Sequence, residues 1–469
     1  MTLHPADSAF RARLAALLPT GTLRDPEPRY LEEPRGQWQG VAGFIALPSC
    51  TEEVATILRE ANAASVPVVP YGGGTGLVGG QVYPEGPAPI ILSLERMNKV
   101  LRCDPSENVL VAQAGVILDD LHKAAEGVDR LFPLSIAASG TARLGGNLGT
   151  NAGGTNVLRY GNTRDLVLGL EVVLADGRLW NGLTRLRKDN TGYDLRNLMV
   201  GSEGTLGVIT AASLKLFPRP SSYATALLEV PSPQAALDLL ALTRQHAGDA
   251  VSAFELISGQ GYHFLDQTMP QVRIPLQSRP EWSVLLDLGL FDDRGEAMLE
   301  TILTEGMEAG LVTDGLVAQS HSQRLAIWEV RETIPEANRM IGAIASHDIS
   351  VPLSELPAFI TRADAALARI GDMRVNCFGH MGDGNLHYNV FPADGKTRAD
   401  YAAEKSAITE AVHGLLYDLG GSISAEHGIG RLKAHELEEA ADPVKLAMMR
   451  SIKAALDPKG ILNPGVLFP

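Results

Sequence analysis

Two short stretches near the C-terminal end carry the residue types best suited to metal-assisted chemistry. The stretch CFGHMGDGNLHYN places His380 and His387 around a glycine turn, and SAEHGIG holds Glu426 and His427. Two imidazoles and a carboxylate with one open position are typical of catalytic zinc, and iron(II), manganese or cobalt accept the same donors. Histidines that only cap or fill a turn explain the pattern equally well. Because GGSIS precedes the second stretch, we expect Glu426 and His427 on opposite sides of an extended segment.

Periodicity predicts a strand, a turn and a second strand around the first stretch. The apolar residues of Leu386–Val390 alternate with His387 and Asn389, so a strand here directs the two polar side chains to one face. The run Val375–Phe378 has the composition of a preceding strand. The glycine turn between these strands would bring His380 back towards His387, within reach of a shared metal ion.

A helical segment, IWEVRETIP, carries a candidate anchor for an anionic substrate. Its Arg331 has the planar guanidinium that binds a carboxylate through two hydrogen bonds. A surface ion pair with Glu329 or Glu332 would explain this arginine as well. The residues alone do not decide between the two roles.

Two glycine-rich loops in the first third of the chain indicate close approach of a backbone to a ligand. The segment Val66–Gly80 contains a Gly-x-Gly-x-x-Gly pattern after a strand, but Pro84 and Pro87 follow, so no helix begins there and a Rossmann dinucleotide site is excluded. The loop can still form a nest of backbone N–H groups for a diphosphate, or a purely structural turn. The second loop, Ser139–Asn162, repeats the glycine enrichment and favours a ligand-binding role.

Composition excludes several classes of function. The chain of 469 residues carries 40 Lys and Arg against 55 Asp and Glu, a net charge of −15, which disfavours nucleic acid and anionic lipid as partners. It has no apolar run of the roughly 20 residues that a membrane helix needs and no secretion signal, so we expect a cytoplasmic protein. Its three cysteines are widely spaced, which predicts buried, reduced thiols and no disulfide framework.

The length predicts two or three domains. β-branched runs and loops across Gly43–Phe217 indicate an α+β ligand-binding domain, and the prolines of Phe217–Pro220 mark its end. The segment Tyr223–Gln319 follows the order βαββαβ of a ferredoxin-like fold, and the last hundred residues predict helices at Tyr401–Leu419 and Ala434–Leu456. The predicted domains are residues 1–217 (core 43–217), 218–420, and a C-terminal segment 421–469 that packs against the first domain and completes the site.

Seven motifs occur in an order that resembles a known family. They are PYGGGTGLVGG, GGNLGTNAGG, RYGNTRDLVLGLEVVLADG, GSEGTLGVIT, GHMGDGNLH, AEHGIGR and DPKGILNPG. Together they resemble the FAD-linked oxidases of the vanillyl-alcohol oxidase superfamily, and within it the D-2-hydroxyacid dehydrogenases, flavoproteins that oxidise D-lactate, D-2-hydroxyglutarate or glycolate. The resemblance spans about Gly43 to Phe468. It implies a two-part FAD-binding domain, a ferredoxin-like substrate domain and a mostly helical C-terminal segment.

The resemblance also implies which residues hold the cofactor. FAD would be bound without a covalent link, because the first glycine loop contains no histidine. The implied FAD-binding residues are Tyr71, Gly72, Gly73, Gly74, Thr75, Gly76, Leu77, Ser139, Thr141, Gly145, Gly146, Asn147, Thr150, Asn151, Ala152, Glu203, Gly204, Gly207, Val208, Ile209 and Asn463.

For the reaction, the resemblance implies that a divalent cation, Zn²⁺ in the first instance, is held by His380, His387 and Glu426. His427 would take the hydroxyl proton of a D-2-hydroxy acid while the hydride on the same carbon passes to flavin N5. Arg331 would bind the substrate, with Trp328 and Asn389 beside it in the pocket.

The substrate and the electron acceptor follow from the same resemblance, whereas the homodimer is only the commonest state of soluble oligomers. D-2-hydroxyglutarate and D-lactate are the expected substrates, but 2-hydroxyglutarate enzymes carry a threonine and a lysine where this chain has Pro335 and Ser346, so a dicarboxylate would need His347 or another arginine. An electron-transfer flavoprotein or a quinone-linked carrier would accept the electrons, and a homodimer is expected. Two alternatives stay open: an oxidase or synthase of the superfamily acting on a sugar lactone or an alkyl-glycerone phosphate, and an FAD-binding subunit of a glycolate-oxidising complex.

Overall fold

The computed structural model describes residues 2–469 as an α+β protein. The strands are β1 Leu23–Arg24, β2 Phe44–Ala46, β3 Val68–Tyr71, β4 Ile90–Ser93, β5 Val100–Asp104, β6 Val109–Gln113, β7 Arg130–Leu131, β8 Val167–Val173, β9 Leu179–Gly182, β10 Val208–Lys215, β11 Phe217–Pro218, β12 Ser222–Val230, β13 Val251–Ser258, β14 Trp282–Leu290, β15 Asp314–Val317, β16 Ala345–Ser350, β17 Met373–Gly379 and β18 Asn385–Pro392. The helices are α1 Ser8–Ala15, α2 Thr51–Ala64, α3 Leu118–Glu126, α4 Leu144–Thr150, α5 Val157–Tyr160, α6 Leu195–Met199, α7 Pro233–Ala247, α8 Gly259–Thr268, α9 Gly295–Glu308, α10 His321–Ile341, α11 Leu356–Ile370, α12 Lys405–Asp418, α13 Ala434–Ala440 and α14 Pro443–Leu456.

The chain divides into two compact units that are not continuous in sequence. The first unit comprises residues 2–153, Gly161–Arg219 and Glu426–Pro469, and the second comprises Gly154–Tyr160 and Pro220–Ala425. The short excursion at Gly154–Tyr160 was not expected from the sequence. Across residues 2–469, no helix combines the length and the apolar character needed to span a membrane.

The first unit contains two main sheets. Strands β1-β2-β4-β3 form a mostly parallel sheet, in which α2 connects β2 to β3, and strands β5-β6-β10-β8-β9 form an antiparallel sheet. Helix α2 buries residues at positions three and four apart, such as Val54, Ile57, Leu58 and Ala61, which is the spacing of one helix face. The proline-rich stretch at Phe217–Pro218 makes only a two-residue ladder with β7.

The C-terminal segment of the first unit packs into its core. The backbone of Val68 donates to the carbonyl of Ile461 at 2.8 Å and accepts from the N–H of Asn463 at 2.8 Å. The predicted single helix at Ala434–Leu456 was wrong: the chain breaks after α13, and Asp442 caps the N-terminus of α14 directly before Pro443. A proline is favoured at the first position of a helix and disfavoured inside it, which explains the break.

The second unit is built on a seven-stranded antiparallel sheet, ordered β15-β12-β14-β13-β17-β18-β16. Its first four strands, numbered 1 to 4 along the chain, have the spatial order 4-1-3-2 of a ferredoxin-like fold, with α7 and α9 as the two connecting helices. Helix α8, between β13 and β14, was not predicted. Strands β17, β18 and β16 extend the sheet on the β13 side.

The register of this sheet decides which side chains share a face. Asp348 lies opposite His387, and His387 lies opposite Phe378, so these three side chains point to the same side. The next pair along the strands, His347 opposite Tyr388, points to the other side. Helices α8 and α10 cover the face with Phe378, whereas α11 and α12 cover the face with Tyr388 and His347.

Candidate active site

The two glycine loops of the first unit lie in direct contact. A methyl group on Gly72 would lie 3.1 Å from the Cα of Gly146, and one on Gly73 would lie 2.3 Å from the carbonyl oxygen of Thr141. Side-chain carbons essentially never come within 3.0 Å of another atom, so the contact between the loops requires glycine at position 73, and at position 72 a side chain would need its neighbour to shift.

The structure places the predicted cofactor residues around these loops. In the first loop, Tyr71 ends β3 and Gly72–Leu77 follow it. In the second, Ser139 and Thr141 lie in the turn before α4, Gly145–Thr150 lie within α4, and Asn151 and Ala152 follow it. Glu203–Gly207 form the turn before β10, which begins with Val208 and Ile209, and Asn463 lies in the C-terminal segment. The second glycine stretch was expected to be a loop, but part of it forms α4, whose Leu144 and Leu148 are buried.

Two amide side chains in this set have buried polar atoms that the protein itself does not satisfy. Among the described residues, Nδ2 of Asn147 and Oδ1 of Asn463 lack hydrogen-bond partners. The Nδ2 of Asn463 is engaged, because it donates to the carbonyls of Gly80 and Glu203 at 3.0 and 2.8 Å. Buried polar atoms are almost always paired, so one donor and one acceptor are available here to a bound group.

Glu203 ties the loop after His427 to the rest of the first unit. Its carboxylate accepts hydrogen bonds from the backbone N–H groups of Ile429 and Gly430 at 2.9 and 2.7 Å. Burial raises its pKa to about 7, although these two N–H groups act in the opposite direction. Its carboxylate oxygens bind this loop, and the expected contact of Glu203 with the cofactor stays a prediction.

Glu426 and His427 lie side by side in the first unit. Oε1 of Glu426 is 3.6 Å from Nε2 of His427, and the chain bends at both residues. The expectation of an extended segment with the two side chains on opposite sides was therefore wrong. Both side chains are largely but not completely buried.

In the second unit, the strand–turn–strand around His380 and His387 is confirmed. Strands β17 and β18 are joined by the turn Met381–Asp383 and by Gly384, whose φ of 82° favours glycine. The two imidazole rings have centroids 5.5 Å apart and an interplanar angle of 79°. The turn thus brings His380 back to His387, as the alternation predicts.

Arg331 does not pair with Glu329 or Glu332 as the sequence alternative suggested. Its Nε and Nη2 both lie 2.8 Å from Oε2 of Glu255, and Oε1 of Glu255 is 2.7 Å from Nδ1 of His380. All three residues are buried. Sequence reasoning missed Glu255, although a lone carboxylate within the apolar strand VSAFELIS was a visible signal.

The remaining predicted residues divide between the two faces of the sheet. Asn389 lies on the His387 face, opposite Ser346, and Trp328 of α10 packs into the core on that side, where its Nε1 has no partner among residues 2–469. His347 lies on the other face, with Nδ1 at 3.0 Å from Nε2 of His413. This placement argues against His347 as a substrate anchor.

Comparison with protein-family models decides the family. Residues 42–182 match the model for an FAD binding domain, and residues 219–467 match the model for FAD linked oxidases, C-terminal domain. The chain belongs to the FAD-linked oxidase family. The motif-based recognition is confirmed, and so is its FAD cofactor.

Curated relatives cover most of this FAD-linked oxidase. It is 40% identical over 430 residues to D-2-hydroxyglutarate dehydrogenase of Xanthomonas citri pv. viticola, covering 90% of this chain and 89% of that protein. It is 39% identical to the mitochondrial D-2-hydroxyglutarate dehydrogenase of Bos taurus, covering 98% and 83%. The predicted enzyme class, an FAD-dependent oxidoreductase acting on a CH–OH donor, is confirmed.

Solved structures share the fold. An alkyldihydroxyacetonephosphate synthase matches with a TM-score of 0.75 at 18% identity, covering 99% of this chain and 86% of that chain. A p-cresol methylhydroxylase matches with a TM-score of 0.75 at 16% identity, covering 99% and 98%. At such low identities the likeness concerns the fold alone, and it confirms the predicted α+β class.

The first unit fits the cofactor on its own geometry. Gly72, Gly73, Gly74 and Gly76 carry no side chains that would cover the backbone N–H groups of the first loop, as a diphosphate requires. The unsatisfied amide atoms of Asn147 and Asn463 can pair with polar atoms of the flavin or its ribityl chain.

Proposed function

We propose that this FAD-linked oxidase converts a D-2-hydroxy acid into the 2-oxo acid, with His427 as the base and His380, His387 and Glu426 as ligands of a divalent cation. The observation that carries the proposal is the pair of imidazoles on one side of a sheet, each beside a buried carboxylate. Those carboxylates are Glu255 at 2.7 Å from His380 and Asp348 at 3.8 Å from His387.

The donor set suits a catalytic cation. Because Nδ1 of His380 lies at hydrogen-bond distance from Glu255, Nε2 is the nitrogen that this histidine would offer to a metal, an arrangement that metal-binding histidines commonly have. The backbone N–H of Ala425 donates to the carbonyl of Asp348 at 3.4 Å, and Glu426 is the next residue in the chain. Zn²⁺ is the first candidate, and Mn²⁺, Fe²⁺ and Co²⁺ accept the same ligands.

The residues then have distinct tasks in the reaction. FAD, when bound, would supply the acceptor for the hydride of the substrate carbon, and a divalent cation held by His380, His387 and Glu426 would lower the pKa of the substrate hydroxyl. The imidazole of His427 accepts the hydroxyl proton, which an imidazole can do near neutral pH. Arg331 binds the substrate carboxylate through the edge of its guanidinium that Glu255 leaves uncovered.

For the substrate, we propose D-2-hydroxyglutarate first and D-lactate second. The names of the curated relatives support the dicarboxylate. One observation favours the smaller acid: Ser346 lies on the His387 face of β16, and at this position it offers a hydroxyl and no positive charge to a second carboxylate. His347 does not compensate, because it lies on the opposite face.

An anaerobic stopped-flow experiment tests the proposal. The purified flavoprotein is mixed with D-2-hydroxyglutarate, D-lactate, D-malate or glycolate, and the flavin absorbance is followed. We expect bleaching with one of these acids, loss of bleaching after chelation, and recovery when Zn²⁺ or Mn²⁺ is added. Bleaching that survives complete chelation would remove the metal from the proposal.

A His427→Ala variant tests the base. It should keep its FAD and metal while flavin reduction slows by about 10²–10⁴-fold, the usual contribution of a general base. A variant that reduces its flavin at the wild-type rate would refute the assignment of His427.

A lactone or an alkyl-glycerone phosphate in the same screen tests the rival oxidase or synthase activity, and bleaching of the single purified chain excludes a non-catalytic subunit.

We further propose an electron-transfer flavoprotein or a quinone-linked carrier as the acceptor, a homodimer, and a cytoplasmic location. Acceptor-dependent turnover, light scattering and cell fractionation test these points. The mitochondrial names of the animal and plant relatives make fractionation worthwhile.

A further inference from the structure

One buried carboxylate in the second unit contacts two residues of the proposed site at once. Glu255 lies on β13 with 1% of its surface exposed. Oε1 faces Nδ1 of His380 at 2.7 Å, and Oε2 lies 2.8 Å from both Nε and Nη2 of Arg331. None of the seven sequence motifs includes this residue.

The contact with His380 determines how that imidazole is used. An ionised carboxylate can only accept hydrogen bonds, so Nδ1 must carry the proton and donate it to Glu255. The lone pair of neutral His380 then lies on Nε2, the opposite corner of the ring. The hydrogen bond also fixes the rotation of the ring, which a free histidine side chain would not maintain.

The contact with Arg331 determines which part of the guanidinium remains for a ligand. Two of its nitrogens are held by Glu255, and the ring of Phe378 lies under the guanidinium carbon at 4.8 Å. Nη1 makes no hydrogen bond to Glu255 and is the nitrogen left for a substrate carboxylate. Because both partners share one carboxylate, the spacing between the metal ligand and the anion-binding group is fixed.

Glu255 is ionised because it pairs with Arg331. A guanidinium stays protonated in proteins, and two of its nitrogens lie 2.8 Å from Oε2 of Glu255. The carboxylate is therefore an acceptor for both neighbours.

We infer that Glu255 is the positioning residue of this enzyme, which presents Nε2 of His380 to the metal and Nη1 of Arg331 to the substrate carboxylate. The inference rests on the proposed function, because it assumes that His380 binds a metal. It adds a residue that acts through its two neighbours, His380 and Arg331.

The chain provides a matched control on the same helix. Arg324, two turns before Arg331 on α10, pairs with the buried Asp287 of β14, with Nε and Nη2 at 3.1 and 2.6 Å from the two carboxylate oxygens. Arg324 is partly exposed, and the pair involves no histidine. An Asp287→Asn variant therefore breaks an arginine–carboxylate pair on the same helix and leaves the contacts of Glu255 unchanged.

The test measures metal affinity in the FAD-loaded protein after chelation, by titration with Zn²⁺ against a chromophoric chelator. Glu255→Gln should weaken Zn²⁺ binding by about 10- to 100-fold, the usual effect of removing a carboxylate behind a metal-bound histidine. Glu255→Asp, which keeps the charge, should recover part of the loss. Asp287→Asn should bind Zn²⁺ within about twofold of the wild type although it unfolds more easily.

Each outcome separates the inference from the proposed function. Wild-type affinity in Glu255→Gln, or an equal loss in Asp287→Asn, would overturn the role of Glu255 while the metal site stands. A wild-type protein that fails to bind Zn²⁺ would refute the metal site and the inference with it. If Glu255→Gln does not fold, Glu255→Asp decides, since wild-type affinity in that variant would contradict the need for a carboxylate at this distance.

Discussion

The contact between the two glycine loops makes Gly73→Ala a sharp test of the flavin cradle. The new methyl group would lie 2.3 Å from the carbonyl oxygen of Thr141 and 3.0 Å from the Cα of Ala142. Both neighbours are backbone atoms, so no side chain can rotate away. The second loop must move for the methyl group to fit.

The size of that movement sets the expected effect. Ordinary contact begins at 3.4 Å, so the loop has to retreat by 3.4 − 2.3 = 1.1 Å. Forcing an extra carbon into a packed site costs about 1–3 kcal/mol. If the loops hold the FAD diphosphate between their backbones, the displaced loop must return to its original place before FAD can bind. The free energy of that return is then lost from FAD binding, which corresponds to a loss of affinity of about 5- to 150-fold.

The assay is the dissociation constant of FAD, measured from the recovery of flavin fluorescence on dilution. Gly127→Ala, in the same unit, is the control: its methyl group would lie 3.4 Å or more from its neighbours and its φ of −59° suits alanine. That variant should bind FAD like the wild type. FAD affinity in Gly73→Ala within twofold of the wild type would refute the assignment of the first loop to the cofactor.

Two further predictions concern stability. The pKa of Glu203 is about 7 in the folded protein against an ordinary 4.5, so between these pH values the folded state keeps a proton that the unfolded state loses. The free energy of unfolding of the wild type should therefore fall by about 3 kcal/mol from pH 4.5 to 7. The Glu203→Gln variant, which has no carboxyl group to titrate here, is the reference. Urea unfolding at both pH values measures this, and parallel pH profiles would contradict it. Asp442→Ala removes the side chain that caps the N-terminus of α14 and should lower the free energy of unfolding by about 1 kcal/mol. Asp418→Ala is the control: Asp418 is the last residue of α12 and caps no helix N-terminus, so this variant should change the free energy of unfolding little.

The elements that the sequence predicts correctly are those whose structure is decided by residues close together in the chain. The alternation around His387 and the glycines before it predict β17, the turn and β18, because strand faces and tight turns are decided within a few residues. The ferredoxin-like order was recognisable for the same reason. Each of its elements has its own periodicity, and the fold family then follows from their order.

The misses arise where tertiary contacts outweigh local preference. The glycines of Leu144–Thr150 disfavour a helix, yet α4 forms because Leu144 and Leu148 become buried. The roles of Glu255 and Arg331 depend on a contact between residues 76 positions apart, which no local pattern reports. Cys50 and Cys103 are half-buried where three buried thiols were expected, and only Cys377 lies fully inside.

The order of the segments has a consequence for how this protein is made. The chain passes between the units four times, and the first unit includes both residues 2–153 and Glu426–Pro469. Its core contains Ile461 and Leu462, which a growing chain presents only when synthesis is almost finished. The second unit is synthesised without interruption from Pro220 onwards. The flavin-binding unit is therefore begun first and completed last, because its core needs Ile461 and Leu462.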